Sequence, residues 1–450
     1  MVSLTVLFPT RVGAPALRYP VCLTMHPPAP SHTAPAPWAW ERLLHAPHRL
    51  SFACAHLLLI VGSLWWLGVQ LARIGWWPGG PGTGAALSPT LVHGATMTFG
   101  FAPLFFAGFL FTAGPKWLQV EAPAARQLLA GVLLQALGWV LWLIGGQLDV
   151  PLALLGGGLA GLGLLIHQLM FLRLIRASKA PDQIHARLIA VAGLLGLLAV
   201  GGLLASVATG QTDLGRTFIQ SGLWAYVVLV YVTVAHRMIP FFTSSALPMV
   251  AAWRPMWVLI FLVIALAHKL ITLWFDWAGL DWPVWRVVSS FWMLVTGLVL
   301  LWLAFVWGLV QSLRIRLLAM LHIGFLWLGL GFLLDASGHF WAQITGNASW
   351  TLGALHITTM GFLGSLLLAM VTRVSCGHGG RTLVADSMVW GLFVVLQVAT
   401  VTRVAAALLG PEHYALLTVV AAGLWSVTVV PWALRLIGWY GKPRLDGRPG

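Results

Sequence analysis

Carboxylates are scarce in this chain: eleven Asp and Glu among 450 residues, against 25 Lys and Arg. Charged residues of both signs make up only 8%, where soluble domains carry about 25%. Together with 59% hydrophobic residues and a mean hydropathy of +0.90, this excludes a soluble globular protein and implies an integral membrane protein. Cysteine is nearly absent too. Cys22, Cys54 and Cys376 form no CxxC pair and no CxxCH, which rules out covalent c-type haem attachment and argues against a cysteine-ligated iron–sulfur cluster. No Walker loop, HExxH or Ser/His/Asp cue is present. No Asp or Glu falls in the middle of an apolar run. All eleven are expected in loops, tails or span ends, which argues against a proton-driven carrier. The formal net charge of +14 comes from basic residues spread singly over short loops, so it reads as membrane topology and not as a nucleic-acid surface.

What the chain has instead is apolar length, tryptophan and histidine. Runs of roughly 20 residues, enough to cross a bilayer, lie near 50–73, 89–114, 127–147, 150–174, 186–208, 216–239, 255–275, 285–311, 316–336, 350–372, 384–409 and 413–438. The expected fold class is all-α, a polytopic membrane bundle of about twelve transmembrane helices in one domain over 45–440. Residues 1–44, rich in Pro, Ala and Thr, are expected to form a disordered cytoplasmic segment without the features of a signal peptide. Met25 is an alternative start within it, and 441–450 is a short basic tail. GGGLAG at 156–161 matches a dinucleotide fingerprint in form only. It sits inside an apolar span with no preceding strand, so close helix packing is the expectation.

Loops after even-numbered spans carry Lys116, Arg126, Arg173, Arg176, Lys179, Arg187, Arg237, Arg254, Arg314, Arg316, Arg373 and Arg381, whereas loops after odd-numbered ones carry only Arg73, Arg216, Arg286 and Arg403, and Asp149, Asp213, Asp276, Asp281 and Asp335 gather there. The positive-inside rule then puts both termini in the cytoplasm, as expected for a multi-pass protein of a bacterial inner membrane in contact with membrane lipids.

Histidine is the residue to follow, with fifteen in the chain. A histidine inside a membrane span is costly and is a functional candidate by default. The stretch Thr90–Trp117, ended by Pro115, Lys116 and Trp117, carries His93 near one end among Gly94, Ala95, Gly100, Ala107 and Gly108. A small-residue face beside a histidine suits a flat, bulky group, and haem is the working expectation. His93, His268 and His356 share a layer roughly 6–10 Å inside the outer boundary by the helical rise, while His56, His167, His236 and His322 lie toward the cytoplasmic side. Facing neutral imidazoles ligate low-spin haem, and imidazole also suits copper. The plain alternative for any one of them is a bond to a backbone carbonyl or water. Lys269 is the deepest cation; it either snorkels outward or pairs with a propionate or other anion.

Four segments together resemble the NnrS family, haem- and copper-containing membrane proteins of the nitric-oxide response: HGATMTFGF (93–101), RMIPFFT (237–243), LHIGFLWL (321–328), and ALHITTMG with TRVSCGHGGR (354–361, 372–381). Members often carry a second His and a Glu in the first motif, where this chain has Ala95 and Thr96. HGATMTFGFAPLFFAGF and LHITTMG also resemble the second and tenth helices of haem–copper oxidase subunit I, and the expected bundle is likewise similar to that subunit.

The resemblance implies non-covalent haem b with His93 and His356 as axial ligands. It implies copper at His268, which keeps one of the two histidines of the oxidase's seventh helix, with Lys269 in the second place. The high-spin haem ligand corresponds to Ala354 and the sixth-helix copper ligand to Gly222, so the oxygen-reducing site looks dismantled. His322 belongs to a motif but has no assigned partner. Arg237, Arg373, His378 and Arg381 lie at cytoplasmic ends, either binding an anion or anchoring helices to lipid phosphates. The implied function is a response to nitric oxide or nitrosative stress, tied to denitrification, with nitric oxide or a related small molecule and an electron donor as partners. Whether a substrate is turned over stays open. The rivals are a nitric-oxide reductase or oxidase-like enzyme, a twelve-helix transporter, and a metal or haem delivery factor.

Overall fold

The computed structural model describes residues 37–280 and 282–448. The expectations for residues 1–36, including the start at Met25, lie outside the described residues. Twelve described helices are long and apolar enough to cross a membrane. They are α1 (Pro47–Arg73), α2 (Pro89–Leu118), α3 (Ala125–Leu148), α4 (Val150–Ala177), α5 (Ile184–Ala208), α6 (Thr212–Ala246), α7 (Met256–Trp277), α8 (Pro283–Val306), α9 (Arg316–Thr345), α10 (Ser349–His378), α11 (Ser387–Leu408) and α12 (Pro411–Tyr440). No strand occurs among the described residues. The protein is an all-α polytopic membrane protein.

Both ends of the described chain meet on one side. Ala39 N–H donates to Gly441 O at 2.9 Å, and the Arg49 guanidinium donates to the carbonyls of Tyr440 and Lys442 at 3.1 and 3.0 Å. Order therefore begins before residue 45: Trp38 donates its indole N–H to Ile437 O, and Trp40–His45 forms a turn of 3₁₀ helix. The boundary expected at residue 44 moves back because these side chains cover the end of α12.

Two span ends also differ from expectation. α2 runs through Pro115 and Lys116 to Leu118, where Gln119 takes a left-handed conformation (φ 54°) and Val120 N–H closes the helix on Pro115 O at 3.0 Å. A proline in the last turn removes one amide from the ladder, which a helix tolerates there. α9 continues past residue 336 to Thr345. Asp335 is thus not at a span end but about 15 Å short of it by helical rise, and the expectation that no carboxylate lies within a span is corrected. Asp335, Ser337 and His339 lower the local hydropathy and mimic a terminus, while the ion pair of Asp335 with Lys269 removes the reason to stop.

α2, α6 and α10 form the inner set. Their apolar windows are 83%, 78% and 78% buried, against 33–67% for the other nine. Each of the three is interrupted by a π-helical turn, at Thr96–Gly100, Leu223–Val228 and Ile357–Gly364. The recurrence at every fourth span divides the bundle into three sets of four. Pro103 accounts for the first interruption, since it cannot donate to the carbonyl of Phe99. Such turns often accompany functional residues.

Glycine sets the tightest contact between neighbours. A Cβ at Gly145 of α3 would lie 2.1 Å from Ala153 N of α4, and one at Gly156 of α4 would lie 2.5 Å from Trp142 N. Gly138 and Gly163 make the same close approach. GGGLAG is therefore a packing surface, as small residues between membrane helices usually are. Large tryptophans stay exposed near helix ends, Trp76, Trp77, Trp277 and Trp282 on one side and Trp38 and Trp40 on the other, as interfacial belts require.

Candidate functional site

His93 stands four residues into α2, and His356 immediately precedes the π turn of α10. Both lie on the side of the bundle opposite the termini, about 6 Å and 10 Å from their helix starts by helical rise. The pair is close enough that a charge on one acts on the other, and Arg403 of α11 acts on both. The two histidines foreseen at one depth are thus brought into one neighbourhood.

Their hydrogen bonding differs. His356 Nδ1 lies 2.8 Å from Leu352 O, which places the proton on Nδ1 and leaves the Nε2 lone pair free. His93 Nδ1 is buried with no partner. Trp66 of α1 stacks on its ring at 3.8 Å and 15°, and Arg73 lies over the Trp66 ring at 5.2 Å. Stacking covers a face of the imidazole and leaves its edge, where a metal would bind. Neither histidine is fully enclosed.

Arg403 is the residue that sequence reading missed. It counted as a loop cation, yet its side chain is buried inside α11 at 6% exposure. Nη2 reaches only Tyr414 Oη at 3.5 Å, and buried Nη1 has no partner. Among the described residues no carboxylate pairs with it. A guanidinium so placed calls for an anion. The available signal was its position five residues before the end of an apolar helix.

These features fit a haem. There is an imidazole with Nε2 free, a second with an orphaned nitrogen, and a buried cation suited to a carboxylate substituent. The binuclear positions do not fit metal. A Cβ on Gly222 would lie 2.2 Å from the ring of Phe99, so that place is filled by an aromatic side chain, and Ala354 offers no donor. His268 faces Trp285 and Trp292 at 5.1 and 6.2 Å with its Nε2 unpartnered. Among the described residues no group of three or more His, Cys, Asp or Glu is arranged to hold a metal ion. The copper expectation at His268 thus finds no further ligands there.

The remaining motif residues converge on the other side. His322 Nε2 lies 2.9 Å from Thr243 Oγ1, joining LHIGFLWL to RMIPFFT. Arg373 lies over Phe242 at 4.0 Å, joining TRVSCGHGGR to RMIPFFT. Arg237 lies over Trp117 at 5.1 Å with Asp182 at 4.0 Å, Arg381 over Trp439 at 4.1 Å, and His378 against His48 at 4.7 Å. Met238, Ile239, Leu321 and Val374 from the same segments line an apolar cavity of about 60 Å³. His167 is bonded to Gln135 and Leu128 O, and His236 to His185 and Pro255 O, the plain arrangement of buried imidazoles. Lys269 resolves as an ion pair with Asp335 and is not a free cation for a propionate.

Fold and site define a twelve-helix membrane protein with paired histidines on its inner helices. The chain belongs to the NnrS family: the model of the NnrS protein matches residues 42–444. That makes it a membrane protein of the nitric-oxide response. No curated protein matches it.

Proposed function

We propose that the protein is a b-type haem protein of the bacterial inner membrane, with His93 and His356 as the two axial ligands and both termini cytoplasmic. The observation that carries this reading is the unpaired Arg403 set beside two imidazoles that both keep a nitrogen available. Bound there, a haem would supply one-electron redox chemistry or reversible ligation of a diatomic such as nitric oxide. The chain's own part is plainer. The Leu352 carbonyl fixes the tautomer and direction of His356, Trp66 fixes the plane of His93, and the Arg403 guanidinium neutralises a carboxylate that would otherwise be expensive at this depth.

Were both histidines to hold the iron, no position on it would be left for a diatomic; of the two, His93 would be the looser, because no hydrogen bond holds its Nδ1. Arg237, Arg373, His378 and Arg381 serve as anchors at the cytoplasmic interface, each already stacked on a ring of the bundle. The test is haem content of the purified protein with His93→Ala and His356→Ala beside it. Loss of haem from each variant supports the site, and full retention in both removes it.

A further inference from the structure

On the side opposite the termini, α6, α7, α9 and α10 enclose a cavity of about 400 Å³. Its mouth carries Asp213, Asp276 and Trp277, all exposed; its floor carries Lys269, Asp335, Trp224, Ala354 and Thr358. One wall is a chain of polar contacts. Asp335 Oδ2 accepts from Lys269 Nζ, and Asp335 Oδ1 lies 3.9 Å from His339 Nε2. His339 and Asp276 are within electrostatic range of each other. Lys269 also lies over the Trp224 ring at 5.6 Å, and the Trp224 indole N–H, in a side chain only 4% exposed, has no partner.

A space of this size, lined by three carboxylates, an ammonium, an imidazole and several hydroxyls, is roomy and polar enough for water. The chemistry of the lining narrows the occupant. Carboxylates outnumber the single Lys, which disfavours an anion, and the absence of any metal-holding group among the described residues disfavours a bound metal ion. An ion pair at this depth contributes little net stability, because removing two charges from water offsets their attraction. Ionisable groups inside a membrane span mark proton or ion paths.

We propose that this cavity is a hydrated proton-exchange vestibule, open to the side opposite the termini and closed at its floor by the Lys269–Asp335 pair. A hydronium ion at the mouth gives its proton to Asp276; through water the proton passes to the His339 imidazole, and from there to Asp335 Oδ1. No electron moves, and the water left behind returns to the bulk. Asp335 itself meets Lys269 of α7 and His339 of its own helix; His339 and Asp276 are in turn within electrostatic range of Arg286 of α8, His268 of α7 lies within range of His339, Asp213 of α6 lines the cavity with Arg216 as its partner, and α10 contributes the hydroxyls of Thr351 and Thr358. Thr358 lies two residues past His356, so the vestibule brings bulk protons to the layer of the paired histidines. It stands whether or not those histidines hold haem.

The test uses the full chain with Cys22, Cys54 and Cys376 replaced by Ala, reconstituted in vesicles with one orientation, and Thr358→Cys added. A charged, membrane-impermeant thiol reagent supplied from the side opposite the termini should modify Cys at 358. The rate should rise about tenfold per pH unit of that compartment below the thiol pKa, since the thiolate is the nucleophile. The pH of the other compartment should not matter. A cationic reagent should outpace an anionic one, and Asp276→Asn should shrink that preference. Ala354→Cys repeats the measurement at a second floor position if Thr358→Cys fails to fold, and Ala399→Cys, which is buried and does not line the cavity, should stay unmodified. Absence of labelling at both floor positions in folded protein overturns the proposal, as does labelling that follows the pH of the terminus side.

Discussion

Breaking the Lys269–Asp335 pair isolates what holds a carboxylate inside a membrane span. The two side chains are 14% and 8% exposed and joined by a hydrogen bond. At a separation of about 3 Å and an effective dielectric of about 20, Coulomb's law gives an attraction of about 5 kcal/mol. Desolvation offsets most of it, so replacing both groups by apolar ones should be nearly neutral, whereas removing one partner leaves a lone buried charge at about 3–5 kcal/mol. Here the stranded ammonium in Asp335→Leu keeps the face of Trp224, which brings the cost below that range, to about 2–3 kcal/mol. Lys269→Met strands the carboxylate beside His339 at similar cost. The assay is a double-mutant cycle on unfolding in detergent, with Asp335→Leu, Lys269→Met and the double variant. With the double variant close to the parent, the expected coupling is the sum of the two single costs, about 4–6 kcal/mol in favour of the pair. Two single costs that simply add, leaving coupling under about 0.5 kcal/mol, would refute the buried pair.

Arg403→Met should reduce haem affinity and lower the midpoint potential of haem that remains, because a positive charge near the macrocycle favours the reduced form; redox titration of the purified variant reads both. Gly145→Ala places a methyl 2.1 Å from Ala153 N and should destabilise the bundle by about 1–3 kcal/mol, while Gly158→Ala, with nothing within 4 Å, should be close to neutral; thermal unfolding separates them. Asp386, in the loop before α11, is held below the ordinary carboxylate value chiefly by hydrogen bonds from Arg435 and then by Val389 N–H. Its folded pKa lies below its unfolded one, so its stabilisation is complete above the unfolded pKa and disappears as pH falls through the folded pKa. Half-exposure limits the effect to under about 1 kcal/mol. Asp386→Asn should remove that acid sensitivity while keeping the helix cap, as read by stability against pH.

Helix count and most boundaries were legible because bilayer thickness forces each span to declare itself in apolar length. α1 to α8 begin and end within a few residues of the hydropathy runs, apart from α6, which runs past residue 239 to Ala246. What misled was local polarity read as an end: Asp335 and His339 belong inside α9 because Lys269, distant in sequence, answers them. The same blindness hid Arg403, whose burial depends on how α11 leans on α12. His93 and His356 were legible by depth, since rise per residue is fixed. Their nearness is a packing fact that periodicity cannot supply. Nor does sequence show the π turns of α2, α6 and α10, except where Pro103 forces one.

The central claim is that His93 and His356 clamp a haem, and the visible spectrum of the purified protein reaches it most directly. Reduced protein should show the sharp bands of six-coordinate low-spin haem b, and either His93→Ala or His356→Ala should abolish them. Preparations from which haem is absent, or in which the low-spin spectrum survives both substitutions, would contradict it.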